Sequence, residues 1–281
     1  MIGLRAVRGS RSWPMRRFGV AAILVAMVQS ASAADLPILR GSYTEPTFRS
    51  SRNWEGFYVG GQAGYGSSNM QFGNYNKDIS SQLVSNTIIG QLFDVPAWPT
   101  LQSVSHRNSS FGGFVGYNMQ WENAVVGFEG NYSHGTFSGS SAGENLSMYN
   151  QGNIVAGVRT ISAASMTIKD FGSLRVRGGY VVDNFMPYAF AGMAMGLADV
   201  NRSVAVDATT FTAPGVVQYH FNWPLSSSNK NQFIYGFALG GGVDVMLFGG
   251  LFVRAEYEYL QFTSSVNANI HTVRGGVGYK F

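Results

Sequence analysis

Carboxylate and guanidinium side chains recur at every second position in several parts of this 281-residue chain. Paired carboxylates can divide general-acid and general-base roles between them. Here, however, arginines alternate in the same way on other segments, and a neighbouring arginine keeps a carboxylate ionised. The pattern therefore favours an ion-pair network over a catalytic pair. The side chains concerned are Glu129, Arg175, Arg177, Asp244, Arg254, Glu256, Glu258 and Arg274.

The other reactive residue types form no recognisable site. His106, His134, His220 and His271 lack metal-binding spacing, and a chain with no cysteine cannot form a thiolate site. No Gly-x-Ser-x-Gly nucleophile motif occurs, and no Lys-Ser/Thr pair follows the glycines at 240–242 as in a phosphate-binding loop. We therefore expect no catalytic residue, no metal, no cofactor and no enzymatic activity.

The charged positions belong to segments of about ten residues in which apolar and polar side chains alternate. In residues 251–259, Val253 and Tyr257 fall on one face, and Arg254 and Glu256 fall on the other. This period of two is typical of a β-strand with two different surroundings. The predicted strands are 54–66, 111–121, 124–135, 171–181, 187–198, 233–245, 251–259 and 271–281.

The connections between these segments are alternately short and long. The predicted short turns are 122–123, 183–184 and 249–250. The predicted long loops are 67–108, 137–168 and 199–231, with a shorter one at 263–269. Two segments leave the strand number open between eight and ten, because 153–161 and 216–223 also alternate; the second could instead extend a strand above the membrane.

This layout predicts an all-β fold: an eight-stranded antiparallel transmembrane β-barrel with short periplasmic turns and long extracellular loops. Charged residues make up only 12% of the chain, about half of what a soluble domain carries. A soluble antiparallel barrel or sandwich remains the alternative. Large aromatics near strand ends favour the membrane version, because such residues form interfacial girdles. The predicted interfacial aromatics are Trp54, Trp121, Tyr259 and Tyr279.

In the membrane orientation, the eight charged side chains point into the lumen. An eight-stranded barrel is just wide enough for its own side chains. Charges in such an interior must pair and hydrogen bond to be tolerated. Because four of the eight are basic and four are acidic, the sequence predicts an internal network that closes the lumen.

The first 33 residues predict a secretory signal peptide. Five arginines up to Arg17 precede an apolar run at 18–28 and the small-residue site Ala31-Ser32-Ala33; Met15 is an alternative start to Met1. We expect a short periplasmic leader at 34–53 and the barrel at 54–281. Removal of the five arginines leaves 14 basic and 15 acidic residues, so the formal charge of +4 does not indicate nucleic-acid binding.

Several strand sequences carry a family resemblance. The segments WEGFYVGG at 54–61, RVRGGY at 175–180, AEYEY at 255–259 and VRGGVGYKF at 273–281 resemble the alphaproteobacterial small outer-membrane proteins, which are similar to the OmpA transmembrane barrel and the opacity proteins. The resemblance covers most of 54–281. It implies an outer-membrane barrel whose Tyr279 and Phe281 are read by the barrel-assembly machinery. The first three loops are long for the family.

These observations predict a monomeric structural protein of the bacterial outer membrane. It would support envelope integrity, contact outer-membrane lipid and lipopolysaccharide, and offer surface loops for adhesion or for a host ligand. The alternative is a small porin that passes solutes. The candidate surface contacts are Phe93, Trp98, Tyr219, Phe221 and Trp223.

Overall fold

The computed structural model describes residues 52–73, 75–85, 87, 101–151, 154–213, 216–263 and 267–281. The chain divides into Met1–Thr47 and Phe48–Phe281, and the described residues all belong to the second unit. The predicted signal peptide and most of the predicted leader lie outside the described residues, as do Phe93 and Trp98.

Eight antiparallel strands close into a barrel, in which each strand pairs with its neighbours in the chain and the last pairs with the first. The strands are β1 (Gly56–Gln71), β2 (Val104–Trp121), β3 (Ala124–Gln151), β4 (Ile154–Tyr180), β5 (Phe185–Ala213), β6 (Val216–Phe248), β7 (Leu251–Thr263) and β8 (Asn267–Lys280). The predicted fold class and the number of eight are confirmed, because residues 154–161 and 216–223 lie within β4 and β6.

Helix α1 (Lys77–Val84) lies between β1 and β2, inside the predicted first long loop. Across the described ranges, no helix is long and apolar enough to span a membrane. The predicted short turns are confirmed. Glu122, Asp183, Gly249 and Gly250 there have φ values of 52°, 53°, 54° and 85°, the left-handed backbone that tight hairpins require.

The predicted long loops at 137–168 and 199–231 are wrong, because nearly all of these residues continue the strands. The pairing of β3 with β4 extends to Gln151 and Ile154, and that of β5 with β6 extends to Ala213 and Val216. Their neighbours stop earlier: β2 pairs with β3 only up to His134. Beyond the β2–β3 and β6–β7 pairings, residues 136–151, 154–169, 199–213 and 216–232 continue as a four-stranded sheet, and we call them the protruding sheet.

Three apolar clusters fill the inside of this assembly. The turn-side cluster contains Trp54, Tyr58, Phe114, Val125, Val181, Met186, Met246 and Phe252. The middle cluster lies at the other end of β1, β7 and β8. It includes Met70, Phe72, Leu101, Phe137, Met166, Ile168, Phe171, Ile234, Phe262 and Ile270. The upper cluster joins Ile79 and Val84 of α1 to Val158, Val204 and Val206 of the protruding sheet. Loop residues therefore cover the inner face of that sheet.

Candidate functional site

The structure places all eight predicted lumen charges inside the barrel. Each of these residues is at most 4% exposed. Arg175 on β4 donates to both carboxylate oxygens of Glu256 on β7, at 2.9 and 2.6 Å. Strands β4 and β7 are not neighbours in the ring, so this bidentate pair crosses the interior.

Glu129 is the centre of the network. Its carboxylate accepts hydrogen bonds from Arg177 at 3.1 Å and from Arg254 at 2.9 Å, and it also contacts Arg175. The hydroxyl of Tyr58 is a fourth donor group, at 2.7 Å. Charge-assisted hydrogen bonds of this kind are about twice as strong as neutral ones. The carboxylate is therefore paired and fixed in position.

The remaining charges extend the network in two directions. Asp244 accepts from Arg177 at 2.6 Å and from Arg254 at 2.8 Å. On the other side, Arg274 pairs with Glu256 at 3.0 Å and also contacts Glu258. The eight side chains thus form one connected, electrically balanced layer across the lumen.

Aromatic rings support the arginines in this layer. The guanidinium carbons of Arg175, Arg177 and Arg254 lie 3.9, 3.8 and 4.0 Å from the ring centroids of Phe190, Tyr188 and Phe114, respectively. Such cation–π contacts strengthen when water is excluded. These rings are not among the site residues predicted from the sequence. The available signal was their position on the same strand face as the inner glycines.

The glycine at position 240 shows why inner-face glycines accompany these rings. A Cβ atom there would lie 2.4 Å from the Phe190 ring and 2.2 Å from the Tyr257 carbonyl oxygen. Such distances exclude any larger side chain unless the wall or the ring moves. The glycine therefore leaves space for the ring on which Arg175 stacks.

The prediction that Trp54 is an interfacial aromatic is wrong. It is 1% exposed and packs edge-on against Phe252, with ring centroids 5.8 Å apart. Asn118, itself buried, donates to its carbonyl oxygen at 3.2 Å. The segment before β1 therefore turns into the barrel, and the indole closes its turn end instead of facing lipid.

The other predicted girdle residues lie on the outer face. Trp121 and Tyr279 are exposed and Tyr259 is partly exposed. Tyr279 packs edge-on against the exposed Phe281, with ring centroids 5.2 Å apart. Their contact with the membrane interface, and the reading of Tyr279 and Phe281 by the assembly machinery, stay predictions.

Three histidines have hydrogen-bonding partners, yet none of them forms a catalytic arrangement. His134 Nδ1 lies 2.8 Å from Asp170 Oδ1, which also accepts a hydrogen bond from the Tyr132 hydroxyl at 2.6 Å. Thr209 and Asp207 both approach the same Nδ1 atom of His220, at 3.1 and 3.3 Å. A nucleophilic triad needs its two partners on opposite ring nitrogens.

His271 contacts the Tyr257 hydroxyl through Nδ1, at 2.7 Å. Within the described part of the chain, no group of three His, Asp or Glu side chains could hold a metal ion.

The predicted surface aromatics of β6 form a ladder. Tyr219, Phe221 and Trp223 stack in order, with centroid distances of 6.2 and 5.2 Å and interplanar angles of 16° and 6°. Tyr219 and Phe221 are exposed, whereas Trp223 packs against the upper cluster. The expectation that 216–223 extends a strand is confirmed.

The closed barrel agrees with the comparison to known families. Residues 18–281 match the model of the outer membrane protein beta-barrel domain. The chain belongs to this family. It is 28% identical to a 31 kDa outer-membrane immunogenic protein of Brucella melitensis, over 95% of this chain and 100% of that protein. It is 24% identical to a 22 kDa outer membrane protein of Rhizobium leguminosarum bv. viciae, over 84% and 82%.

Among solved structures, Neisserial surface protein A is similar at 13% identity and a TM-score of 0.36, over 80% of this chain and 97% of that one. This similarity is too distant to inform function. The family places the barrel in the outer membrane. Since short turns face the periplasm in such barrels, the protruding sheet stands on the cell surface.

Proposed function

We propose that this protein is a non-conducting structural barrel that supports the integrity of the outer membrane. The observation that carries the proposal is the filling of the lumen by three successive layers. The turn-side cluster lies at one end, the ion-pair network lies next to it, and the middle cluster follows. A solute would have to displace buried aromatic rings and paired charges together.

The network also argues against the alternative of a small porin. If one arginine moved aside, its carboxylate partners would stay buried without a counter-charge. An uncompensated buried charge is strongly destabilising. Aqueous channels occur in barrels of about 16–18 strands, whereas eight strands leave room for side chains alone. The protein would therefore contribute as a lipid-contacting wall element, as a monomer among outer-membrane lipid and lipopolysaccharide.

An enzymatic role has no support from the imidazoles. Among the described residues, each His–Asp contact lacks a hydroxyl on the other ring nitrogen. The relatives named above are called outer-membrane proteins and not enzymes.

The protruding sheet supports a second role in surface contact. It places the Tyr219 and Phe221 rings outside the membrane, where exposed aromatics mark interaction sites. Several Brucella relatives are named outer-membrane immunogenic proteins, as expected of proteins with exposed surface segments. We propose adhesion or contact with a host ligand through this sheet.

A complementation experiment separates the two roles. A strain without the protein should gain sensitivity to detergent and release more periplasmic protein, and the wild-type gene should reverse both changes. The variant Tyr219→Ser/Phe221→Ser should restore the envelope yet reduce attachment to host cells. A deletion strain with an unchanged envelope would contradict the structural role, and unchanged attachment would contradict the surface role.

A further inference from the structure

Strand β6 has one side without a partner for much of its length. Its pairing with β7 ends at Tyr235 and Thr263, whereas its pairing with β5 continues to Val216. Within the described ranges, no backbone hydrogen bond reaches the side of residues 224–229 that faces away from β5. We call this side of residues 224–229 the open edge.

The corresponding side of β3 differs. The backbone N–H of Gln102 donates to the Ser141 hydroxyl at 2.9 Å, and the Asn108 side-chain amide donates to the Thr136 carbonyl at 2.5 Å. The segment before β2 and the start of β2 therefore already contact β3. These contacts reach β3 at Thr136 and Ser141, whereas within the described ranges the β6 side has none at residues 224–229 and presents a row of unused backbone groups, which can template another strand.

Pro224 reveals which backbone groups point outward. Proline has no N–H and is accepted in an edge strand only where that N–H would face away from the sheet. Pro224 pairs with Ala205 in regular register. Because the direction alternates with a period of two, the N–H groups of Ser226 and Ser228 also point away from β5.

We propose that the open edge binds an extended polypeptide segment of a separate partner, which adds as a strand beside Ser226–Ser228. This inference rests on the proposed surface-contact role and names its partner class. Strand addition gains affinity from main-chain hydrogen bonds and specificity from alternate side chains. Pro224 limits the added ladder at its upper end.

The position of β7 leaves no place beside β6 for a barrel strand of a second copy of this chain. Below Tyr235, β6 enters the barrel wall and β7 takes the place beside it. A strand from a second copy would also continue into the membrane and would collide with β7. A segment that arrives from outside the cell and ends above Thr263 meets no such obstacle.

The surroundings of the open edge indicate the character of this segment. A shallow recess of about 410 Å³ on the outer face of the protruding sheet reaches Ser226–Ser228 and is lined mostly by serine and alanine. The serine and alanine side chains are small and uncharged, so they allow close approach. The one charged lining residue, Arg202, is already paired with Asp78 at 2.8 Å and so selects no charge in the segment. Uncharged segments rich in threonine, serine and valine fit best, since such residues favour extended backbone.

Hydrogen exchange and binding test this proposal on the refolded full chain in lipid nanodiscs. The probe is a synthetic peptide of roughly nine alternating threonine and valine residues, a length within the usual range of strands. Its addition should slow amide exchange at Ser226 and Ser228. The variant Ser226→Pro/Ser228→Pro should bind the probe at least about tenfold more weakly, because two main-chain donors are lost.

Two controls make the result specific. The variant Ser226→Ala/Ser228→Ala keeps both N–H groups and should bind like the wild type. A probe with N-methyl groups on every amide has no free N–H on either edge and should not bind.

Equal binding by the proline variant, or no binding of the probe, would overturn the proposal. Slow exchange at Ser226 and Ser228 before the probe is added would also overturn it, because the edge would then be occupied by this chain itself. The exchange measurement uses unmodified protein, so a poorly folded proline variant leaves the test intact. Conductance and envelope assays do not depend on this edge and report on the structural role separately.

Discussion

The two halves of β4 have opposite patterns. In the barrel, Arg175 points inward and Leu174 is exposed on the outside. In the protruding sheet, Ile168 and Val158 are buried on the inside, and Thr167 lies on the outside. One strand therefore faces two different solvents along its length. Lipid selects an apolar exterior below, and water selects a polar exterior above, so the inside takes the complementary chemistry.

The change of pattern coincides with irregular pairing. Register shifts occur in β4 between Ile168 and Asp170, and in the β5–β6 pairing at Val200 opposite Asn229. One extra residue moves every later side chain to the other face of a strand.

Asp199 lies between these two register shifts, and its carboxylate binds a residue at each of them. It accepts a hydrogen bond from Lys169 at 2.9 Å and another from the backbone N–H of Asn231, also at 2.9 Å. Asn231 has a φ of 52°. The carboxylate therefore stabilises both irregular positions at the boundary between the halves.

The largest effect is expected from an unpaired charge in the barrel half. Glu129→Leu leaves Arg175, Arg177 and Arg254 without their shared carboxylate, so we expect a loss of about 3–5 kcal/mol in unfolding free energy. Urea unfolding in lipid vesicles, followed by heat-modifiable gel mobility, measures this loss. The matched control is Glu144→Leu, whose partner Arg159 is exposed in the protruding sheet. It should cost less than about 1 kcal/mol, and equal losses would contradict the comparison.

The next effect concerns the apolar interior near the base of the protruding sheet. Ile168 is fully buried, and Ile168→Ala should cost about 2–5 kcal/mol in unfolding free energy because a cavity replaces packed methyl groups. The adjacent Thr167 faces water, so Thr167→Ala should change the unfolding free energy by about 0.5 kcal/mol or less. The same urea titration compares the two variants, and similar values would show that this interior is not packed.

A third experiment compares a lysine introduced at a lipid-facing position with one introduced at a water-facing position of the outer face. Leu174→Lys places a charge against the hydrocarbon region, and we expect a loss of about 2–4 kcal/mol in unfolding free energy. Thr167→Lys makes the same introduction above the membrane and should be nearly neutral. Unfolding in vesicles distinguishes them. Equal tolerance of both lysines would place Leu174 outside the bilayer.

The smallest effect is a pH dependence at the boundary. The hydrogen bond from Asn231, followed by that from Lys169, lowers the pKa of Asp199. Its stabilisation is therefore present above the ordinary aspartate pKa of about 3.9 and is lost as pH falls through the lowered value in the folded state. Carbon-13 NMR of the carboxyl group follows this titration, and Asp199→Asn removes it. A pKa of Asp199 at or above the ordinary value would contradict its stabilising role at the boundary.

The barrel half could be predicted from the sequence because its alternation is regular. The inward positions of Arg175 and Glu256 follow directly from a period of two. The protruding sheet was missed for two physical reasons. Its outer face carries the serine and asparagine that usually mark loops, and the bulges break the alternation where it enters. Trp54 was misplaced because it precedes the strand, where periodicity does not apply.

The most direct test of the closed lumen is planar-bilayer conductance of the refolded full chain, with a sixteen-stranded porin as the positive control. The layered interior predicts no stable channel steps of porin size at neutral pH, although gel mobility shows a folded barrel. A long-lived open channel in the folded wild-type protein would contradict the account.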